Sequence, residues 1–476
     1  MTHRRLTGAL LAAALTPLAL ALTAPAAHAA TAAKPYDFNG DGRVDLAIGA
    51  PGATVGGKAK AGAVSVVYGG TGGLKTATRT LITQNTAGVP GTAEADDAFG
   101  TAVASADLDT DGYADLLIGA PGEDVNGDTN DGYVVVIWGT KSGLSGARSV
   151  PNFLERDSDR FGQSLAAGDV EADGDLDIVV GSNGPFKLSF INGPFTRTSS
   201  SQGASGSGFP SPYSSTYGIT SLSVGPVTAA SHTNLVVHGR RSDGAAITHL
   251  VTEPNIGNYT DWLQELPAGY VSAIGDIDKD GYADIAVGND RETSADPAGA
   301  KGGKVTVVYG GPDGRDSSRA PLVLTQDTAG VPGASETGDR FGSGVFLGDV
   351  NGDGYADLAV GASGENSGAG SVTVLYGSAS GLRTSGVQSF TQNTAGVPGS
   401  SEANDRFGAR VLLADHSGDR RAELTVAATG ENGDGAVWSL RGATSGVTTG
   451  GAMSFGPATT GVSTAGSPGY GTALNS

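Results

Sequence analysis

The sequence contains no cysteine in 476 residues, which excludes disulfides, thiolate metal sites and cysteine nucleophiles together. Charge is sparse, at 16% of residues, too little for a coiled coil or a polyionic tail. Basic residues are the minority, 29 against 49 acidic ones, and the net charge of −20 repels phosphate backbones and anionic lipid head groups. Nucleic acid and membrane surfaces are therefore poor partners. Beyond residue 30 no apolar run approaches the roughly 18 residues needed to cross a bilayer, so no membrane span is expected. What the chain has in excess is turn-forming residue, 78 Gly and 21 Pro. Hydrophobic residues, at 38%, suffice for a core, and the combination points to a turn-rich all-β protein.

The first thirty residues carry no acid. Arg4 and Arg5 precede an apolar stretch from Leu6 to Leu22, interrupted by Pro17, and small residues follow at Ala27-His28-Ala29. This order reads as a secretory signal peptide over 1–29, leaving 30–476 as one soluble domain outside the cytoplasm. Thr7 and Gly8 stand where a twin-arginine signal wants bulky apolar residues, which favours the general secretory route.

Self-comparison organises the rest. Asp349-Val-Asn-Gly-Asp-Gly-Tyr-Ala-Asp357, followed by Leu-Ala-Val-Gly361, recurs from Asp37, Asp107, Asp169 and Asp276, with decayed copies from Pro226 and Asp415. Seven units spaced 50 to 73 residues apart, made of short strands and Gly-rich turns, indicate propeller blades. A Phe-Gly pair stands eight residues before the acidic loop at Phe99, Phe161, Phe341 and Phe407, with Tyr217-Gly218 a looser version. Each unit reads as four strands: one after the Phe-Gly pair, one after the acidic loop, an alternating third (Val64–Tyr68, Tyr133–Trp138, Val305–Tyr309, Ser371–Tyr376) and a weak fourth (Leu81–Thr83, Leu322–Thr325, Ser389–Thr391). The segment Thr196–Ser215, rich in Ser, Gly and Pro, reads as a mobile loop between blades 3 and 4. The first unit lacks its Phe-Gly strand, whereas Tyr470-Gly-Thr-Ala-Leu474 matches Phe99-Gly-Thr-Ala-Val103. The C-terminal segment is thus expected to close the ring and remove an open edge.

The acidic loops carry the chemistry. Their pattern is D-x-[D/N]-x-D-G-x-x-D, in which oxygens at positions 1, 3, 5 and 9 and the position-7 carbonyl can surround a hard cation, with Gly at position 6 permitting the turn. The candidate ligands are Asp37, Asn39, Asp41, Arg43 and Asp45; Asp107, Asp109, Asp111, Tyr113 and Asp115; Asp276, Asp278, Asp280, Tyr282 and Asp284; and Asp349, Asn351, Asp353, Tyr355 and Asp357. A fifth set, Asp169, Glu171, Asp173, Asp175 and Asp177, has a longer Glu at position 3 and is expected to bind somewhat differently. Arg43, Tyr113, Asp175, Tyr282 and Tyr355 would contribute only their carbonyl oxygens. An all-protein, carboxylate-rich, flexible site favours calcium over magnesium, giving about five calcium ions. The alternative is that Asp-Gly simply makes hairpin turns; five loops each keeping Asp at positions 1, 5 and 9 argue against it. The loop near Pro226, with Ala230 and Asn234 where Asp is needed, reads as metal-free, so truncating Asn234 should remove nothing. In the last copy Asp415, Ser417, Asp419 and Glu423 survive but Arg420 replaces Gly, and binding there stays open.

The Phe-Gly pairs with Gly49-Ala-Pro51 and Gly119-Ala-Pro121, and the acidic loops between them, resemble the FG-GAP repeats of integrin α-subunit propellers. The likeness is strongest in blades 1, 2, 6 and 7. It implies a seven-bladed β-propeller with calcium loops on one face and ligand-engaging loops on the other. Those ligand loops would be 49–63, 119–132, 288–303 and 361–370 and the linkers 85–97, 327–339 and 393–405.

Catalytic residues are in short supply. His232, His238, His249 and His416 show no metal-ligand spacing and read as surface or loop residues, and no Ser occupies a G-x-S-x-G context. FG-GAP propellers also accompany catalytic domains in the glycosylphosphatidylinositol-specific phospholipase D family, so a phospholipase-like hydrolase, or an accessory subunit of one, is the alternative. Glu123-Asp-Val-Asn-Gly-Asp128 resembles half a calcium loop and reads as solvated. Trp138, Trp262 and Trp438 are candidate carbohydrate platforms, but Trp138 and Trp438 fall on third strands, where packing between blades is expected. The expectation is a monomeric, secreted, calcium-binding, non-enzymatic adhesion or binding module for an extracellular protein, glycan or cell-wall ligand.

Overall fold

The computed structural model describes residues 32–153, 159–185, 187–198, 203–207, 213–228, 233–252 and 263–475. The proposed signal segment 1–29, His232 and Trp262 lie outside them. Valine-, isoleucine- and alanine-rich runs bounded by glycine form strands, which assemble into seven four-stranded antiparallel sheets. The protein is a seven-bladed β-propeller. In blade 6, for example, Phe341–Gly348 is innermost, followed outward by Asp357–Ala362, Ser371–Tyr376 and Arg383–Phe390.

The middle strands are buried along their whole length, because both faces pack against a neighbouring blade. One such core joins Val372 and Val374 of blade 6 to Phe407, Leu424, Val426 and Trp438 of blade 7. Burying this apolar area at roughly 25 cal/mol per Å² is the main stabilising term. The Phe-Gly and Gly-Ala-Pro elements explain each other. Phe407 N–H donates to the Ala369 carbonyl of the preceding blade at 3.1 Å, which brings the Gly408 carbonyl against Gly361 so closely that a Cβ on Gly361 would collide with it.

The ring closes as expected. Ala473–Leu474 is the innermost strand of blade 1, pairing Ile48 with Leu474 and Gly49 with Ala473. Asn475 then locks the junction, accepting from Ala47 N–H at 2.8 Å and donating to the Asp45 carbonyl at 2.7 Å. Tyr470 N–H reaches the Asp434 carbonyl at 2.9 Å, the same bond that Phe407 makes.

Two sequence expectations change. The outer strands of blades 1 and 6 are long, Lys75–Ile82 and Arg383–Phe390, rather than short stubs. An outer strand needs ladder hydrogen bonds on one side only and buries few side chains, so its hydrophobic pattern is faint. For the same reason the Ser/Gly-rich stretch after Thr196 contains a strand: Gly203–Ser207 is the fourth strand of blade 3, paired with Leu188–Asn192.

Candidate metal centres

Each acidic loop leads into the second strand of its blade, directly from the first strand in every blade except blade 1, whose first strand is C-terminal, so all lie on one face of the ring. In blade 6 the Asp349 carboxylate accepts from Gly352, Asp353 and Gly354 N–H at 2.7, 3.2 and 2.8 Å. Asp353 N–H also reaches Asn351 Oδ1, at 2.9 Å, and Tyr355 N–H reaches Asp353 Oδ1 at 3.0 Å. These bonds wind the backbone around the side-chain oxygens. The turn requires positive φ at position 6, +85° at Gly354, and in blade 7 the replacing Arg420 is forced to +68°.

The position-9 aspartate has a further role. Asp357 is fully buried; its Oδ2 accepts from Val350 N–H in the loop at 2.9 Å and its Oδ1 from Gly377 N–H, beyond the third strand, also at 2.9 Å. Asp45, Asp115, Asp177 and Asp284 make the same brace, to Gly69, Gly139, Gly193 and Gly310. Burial pushes these carboxyls up, to about 8 for Asp45 and Asp115, about 7 for Asp284 and Asp357 and about 6 for Asp177, against the lowering effect of the N–H donors. A cation in the loop would hold them ionised.

Three carboxylates converge within 4.8 Å in two loops: Asp107, Asp109 and Asp111 in blade 2, and Asp276, Asp278 and Asp284 in blade 5. Asp109 Oδ1 is buried without a hydrogen-bond partner, so the donor set fits a hard, oxygen-seeking cation. In blade 3 Glu171 turns aside and accepts from Asn192 Nδ2 at 2.6 Å, consistent with its different length.

A model of the FG-GAP repeat matches residues 29–67, 99–137, 268–308 and 341–375, which fall in blades 1, 2, 5 and 6. Four of the seven blades carry the FG-GAP repeat. The chain is 35% identical over 164 residues to human phosphatidylinositol-glycan-specific phospholipase D, covering 34% of this chain and 19% of that protein. It is 26% identical over 273 residues to integrin alpha-5 of Xenopus laevis, covering 56% and 20%, and 37% identical over 123 residues to human integrin alpha-6, covering 25% and 10%. The chain thus matches a fifth or less of these relatives' own length. Blade 7, despite its Phe407-Gly408 pair, lies outside the matched segments.

The FG-GAP pattern did not reveal two arginines that enter the acidic loops. Arg197, from blade 3, places Nε 2.9 Å from Asp109 and Nη2 2.7 Å from Asp111, with its Cζ 5.8 Å from the Trp138 ring centre. Arg319, in blade 5, pairs with Asp278 and stacks on Tyr309 at 3.4 Å. Both come from loops between third and fourth strands, which share the face of the acidic loops but lie far from them in sequence. An arginine here is a counter-ion for the carboxylates and a competitor for any cation.

Blade 4 departs furthest from the repeat. Asn234 occupies position 9, fully buried; its Oδ1 accepts from Thr228 N–H and Oγ1 at 2.8 and 3.0 Å, and its Nδ2 donates to the Thr252 carbonyl at 2.9 Å. The expectation that truncating Asn234 removes nothing is therefore corrected: a neutral amide makes the brace that aspartate makes elsewhere. In blade 7 Glu423 accepts from His416 and Ser417 N–H at 2.8 and 3.1 Å, and burial raises its carboxyl to about 7.

Histidine placement also differs from the sequence reading. His238 and His416 are fully buried, and His249 accepts or donates to Tyr213 Oη at 2.7 Å. His238 joins blade 4 to blade 5 through the Gly269 carbonyl at 3.0 Å and Ser272 Oγ at 2.8 Å; His416 joins blade 7 to blade 1 through the Val44 carbonyl at 2.6 Å. Each also meets a threonine of its own blade, Thr248 for His238 at 3.0 Å and Thr425 for His416 at 3.2 Å, and the partners in the next blade are distant in sequence. Glu123 is likewise not a freely solvated loop residue. It is half-buried and accepts from Gln84 Nε2 at 2.5 Å, an arrangement repeated by Gln326 with Glu365 and Gln392 with Glu431. Trp138 and Trp438 are buried in the blade-to-blade cores, as their strand positions implied.

Proposed function

We propose that this chain is a secreted, calcium-stabilised, non-enzymatic module that presents the face built from its 2–3 loops and blade linkers to an extracellular protein, glycan or cell-wall ligand. The observation that carries this reading is the segregation of the two faces. The acidic loops all stand on one side of the ring, where about five calcium ions would stiffen it. The longer loops and the linkers stand on the other, tied to one another by the repeated Gln–Glu bonds and away from the acidic loops. Asp37, Asn39 and Asp41, Asp107, Asp109 and Asp111, and their counterparts in blades 3, 5 and 6 would hold the ions. Calcium would supply the positive charge that these clustered carboxylates lack. No helix among the described residues is long and apolar enough to cross a membrane.

The similarity to phosphatidylinositol-glycan-specific phospholipase D supports a second reading, an extracellular hydrolase or its accessory subunit. Against it, His238 and His416 are committed to hydrogen bonds inside the core rather than facing a cleft. Pull-down from culture supernatant and cell-wall extract, with and without calcium, tests the first reading. Calcium-dependent capture of a defined ligand supports it. Release of a product from a phosphatidylinositol-glycan substrate would replace it with the second.

A further inference from the structure

The innermost strands surround a channel lined by small and neutral side chains such as Ala102, Ser164, Ser221 and Ala473. Arg410 is the exception, the one charged side chain lining that channel among the described residues. It stands three residues beyond Phe407; the matching positions in four other blades are Ala102, Ser164, Gly344 and Ala473. Its side chain donates to the Ala409 carbonyl at 2.9 Å and forms no ion pair among the described residues. The side chain stays open to the solvent that fills the channel, and the crowding of the surrounding strands lowers its pKa, with Asp290 opposing and Arg340 reinforcing the effect.

On the linker face the channel opens into a cavity of about 370 Å³ shared by Arg340, Arg406, Arg410, Asp290 and Thr429. Arg340 binds Asp290 through Nε at 2.9 Å and Nη2 at 2.6 Å, and Arg291 approaches the same carboxylate at 3.3 Å. Arg406 forms no ion pair among the described residues. It adopts φ of +59°, a conformation that favours glycine, and Gly469 holds the corresponding place at the ring closure. The cavity therefore sets three guanidinium groups against one carboxylate already shared between Arg340 and Arg291, in a protein whose net charge is −20. An accessible cation without a carboxylate partner in an otherwise neutral channel attracts an anion, and the guanidinium fork matches a planar or tetrahedral oxyanion.

We propose that this cavity is an oxyanion site, taking a carboxylate, phosphate or sulfate group on Arg410 and Arg406 while Asp290 holds Arg340 in place. The inference rests on the linker face being the binding face and names the chemistry that this face selects. The cavity, at about 370 Å³, leaves room for more of a ligand than the oxyanion group itself.

The test is calorimetric titration of the full secreted chain with inorganic phosphate, and separately with acetate, at low chloride because salt screens exposed charge. Phosphate should bind, and Arg410→Gln should weaken binding by about tenfold or more, the scale of one lost charge-assisted contact. Arg410→Lys should restore part of it, and Arg79→Gln, on the outer strand of blade 1, should change nothing. Arg410→Gln should melt no lower than the unaltered chain in anion-free buffer, because it removes an unpaired charge. No phosphate binding in the unaltered chain, or equal binding in Arg410→Gln, overturns the proposal. So does a melting temperature lowered by Arg410→Gln without anion, which would make Arg410 a structural tie. Anion binding is read on the isolated protein, so it stands or falls whether or not a macromolecular partner is captured.

Discussion

Blades 4 and 6 have the same four strands and the same brace between loop and third strand, yet they build it from different chemistry. Blade 6 uses buried Asp357, whose carboxyl is pushed up to about 7 by desolvation, beside Asp349 and Asp353. Blade 4 uses the neutral amide of Asn234, with no acid among the described residues of its loop. The comparison separates two roles that the acidic repeat combines. Position 9 is structural and tolerates an uncharged residue, whereas positions 1 and 5, joined by an acid at position 3 in blades 2, 3 and 5, place carboxylates that closing a blade does not require. Blade 4 shows that this fold closes a blade without them, so their presence in five other loops calls for a counter-charge.

If that division is right, chelation separates the two kinds of blade. Removing calcium should lower the melting temperature by roughly 10 °C, since each tightly bound ion contributes about 3 kcal/mol at a hundredfold excess over its Kd. Hydrogen exchange should accelerate in 349–357 and stay unchanged in 226–234. Equal responses in both loops would dissolve the distinction.

Truncating the brace in blade 4 comes next in size. Asn234→Ala leaves a buried N–H and a buried carbonyl without partners and should cost about 3 kcal/mol. Denaturant midpoints should fall equally in calcium and in chelator. Asp353→Ala, by contrast, should lower the midpoint in calcium and leave it nearly unchanged in chelator. A calcium-dependent loss for Asn234→Ala would show that blade 4 also holds a cation.

Blade 4 has its own sensitivity to acid. Burial lowers His238 from 6.5 to about 4, so the folded state keeps it neutral while the unfolded chain protonates it. Its contribution is complete above pH 6.5 and is lost as pH falls towards 4, by at most about 3 kcal/mol. The difference in stability between the parent chain and His238→Gln, followed from pH 7 to 4, should shrink by that amount. A constant difference would place the acid response elsewhere.

The smallest effect concerns the arginine in the blade 2 loop. Arg197→Gln frees Asp109 and Asp111 from a competing cation and should raise calcium affinity at that loop several-fold, with stability in saturating calcium changed by less than about 1 kcal/mol because the pair is half exposed. Unchanged affinity would mean that the arginine and a cation occupy the loop independently.

Most of the architecture was legible because the repeat states it seven times. The Phe-Gly, Gly-Ala and acidic elements are local and periodic, and Tyr470-Gly-Thr-Ala-Leu474 could be matched to its strand by inspection. What stayed hidden lies across blade boundaries or on outer edges. Arg197 reaches a loop 88 residues away, and His416 meets the Val44 carbonyl 372 residues away. Gly203–Ser207 forms a strand with almost no hydrophobic signal because an outer edge asks for little. Asn234 looked like a lost ligand because the pattern specifies which residue binds metal, not which residue fills a buried slot.

The central claim is that the acidic loops are cation sites and the amide loop of blade 4 is not. Metal analysis of the dialysed chain tests it most directly. The expected result is about five calcium ions per chain, falling by one in Asp353→Ala and unchanged in a folded variant of blade 4 such as Asn234→Asp. Fewer than two calcium ions per chain, or a count that Asp353→Ala leaves untouched, would contradict it.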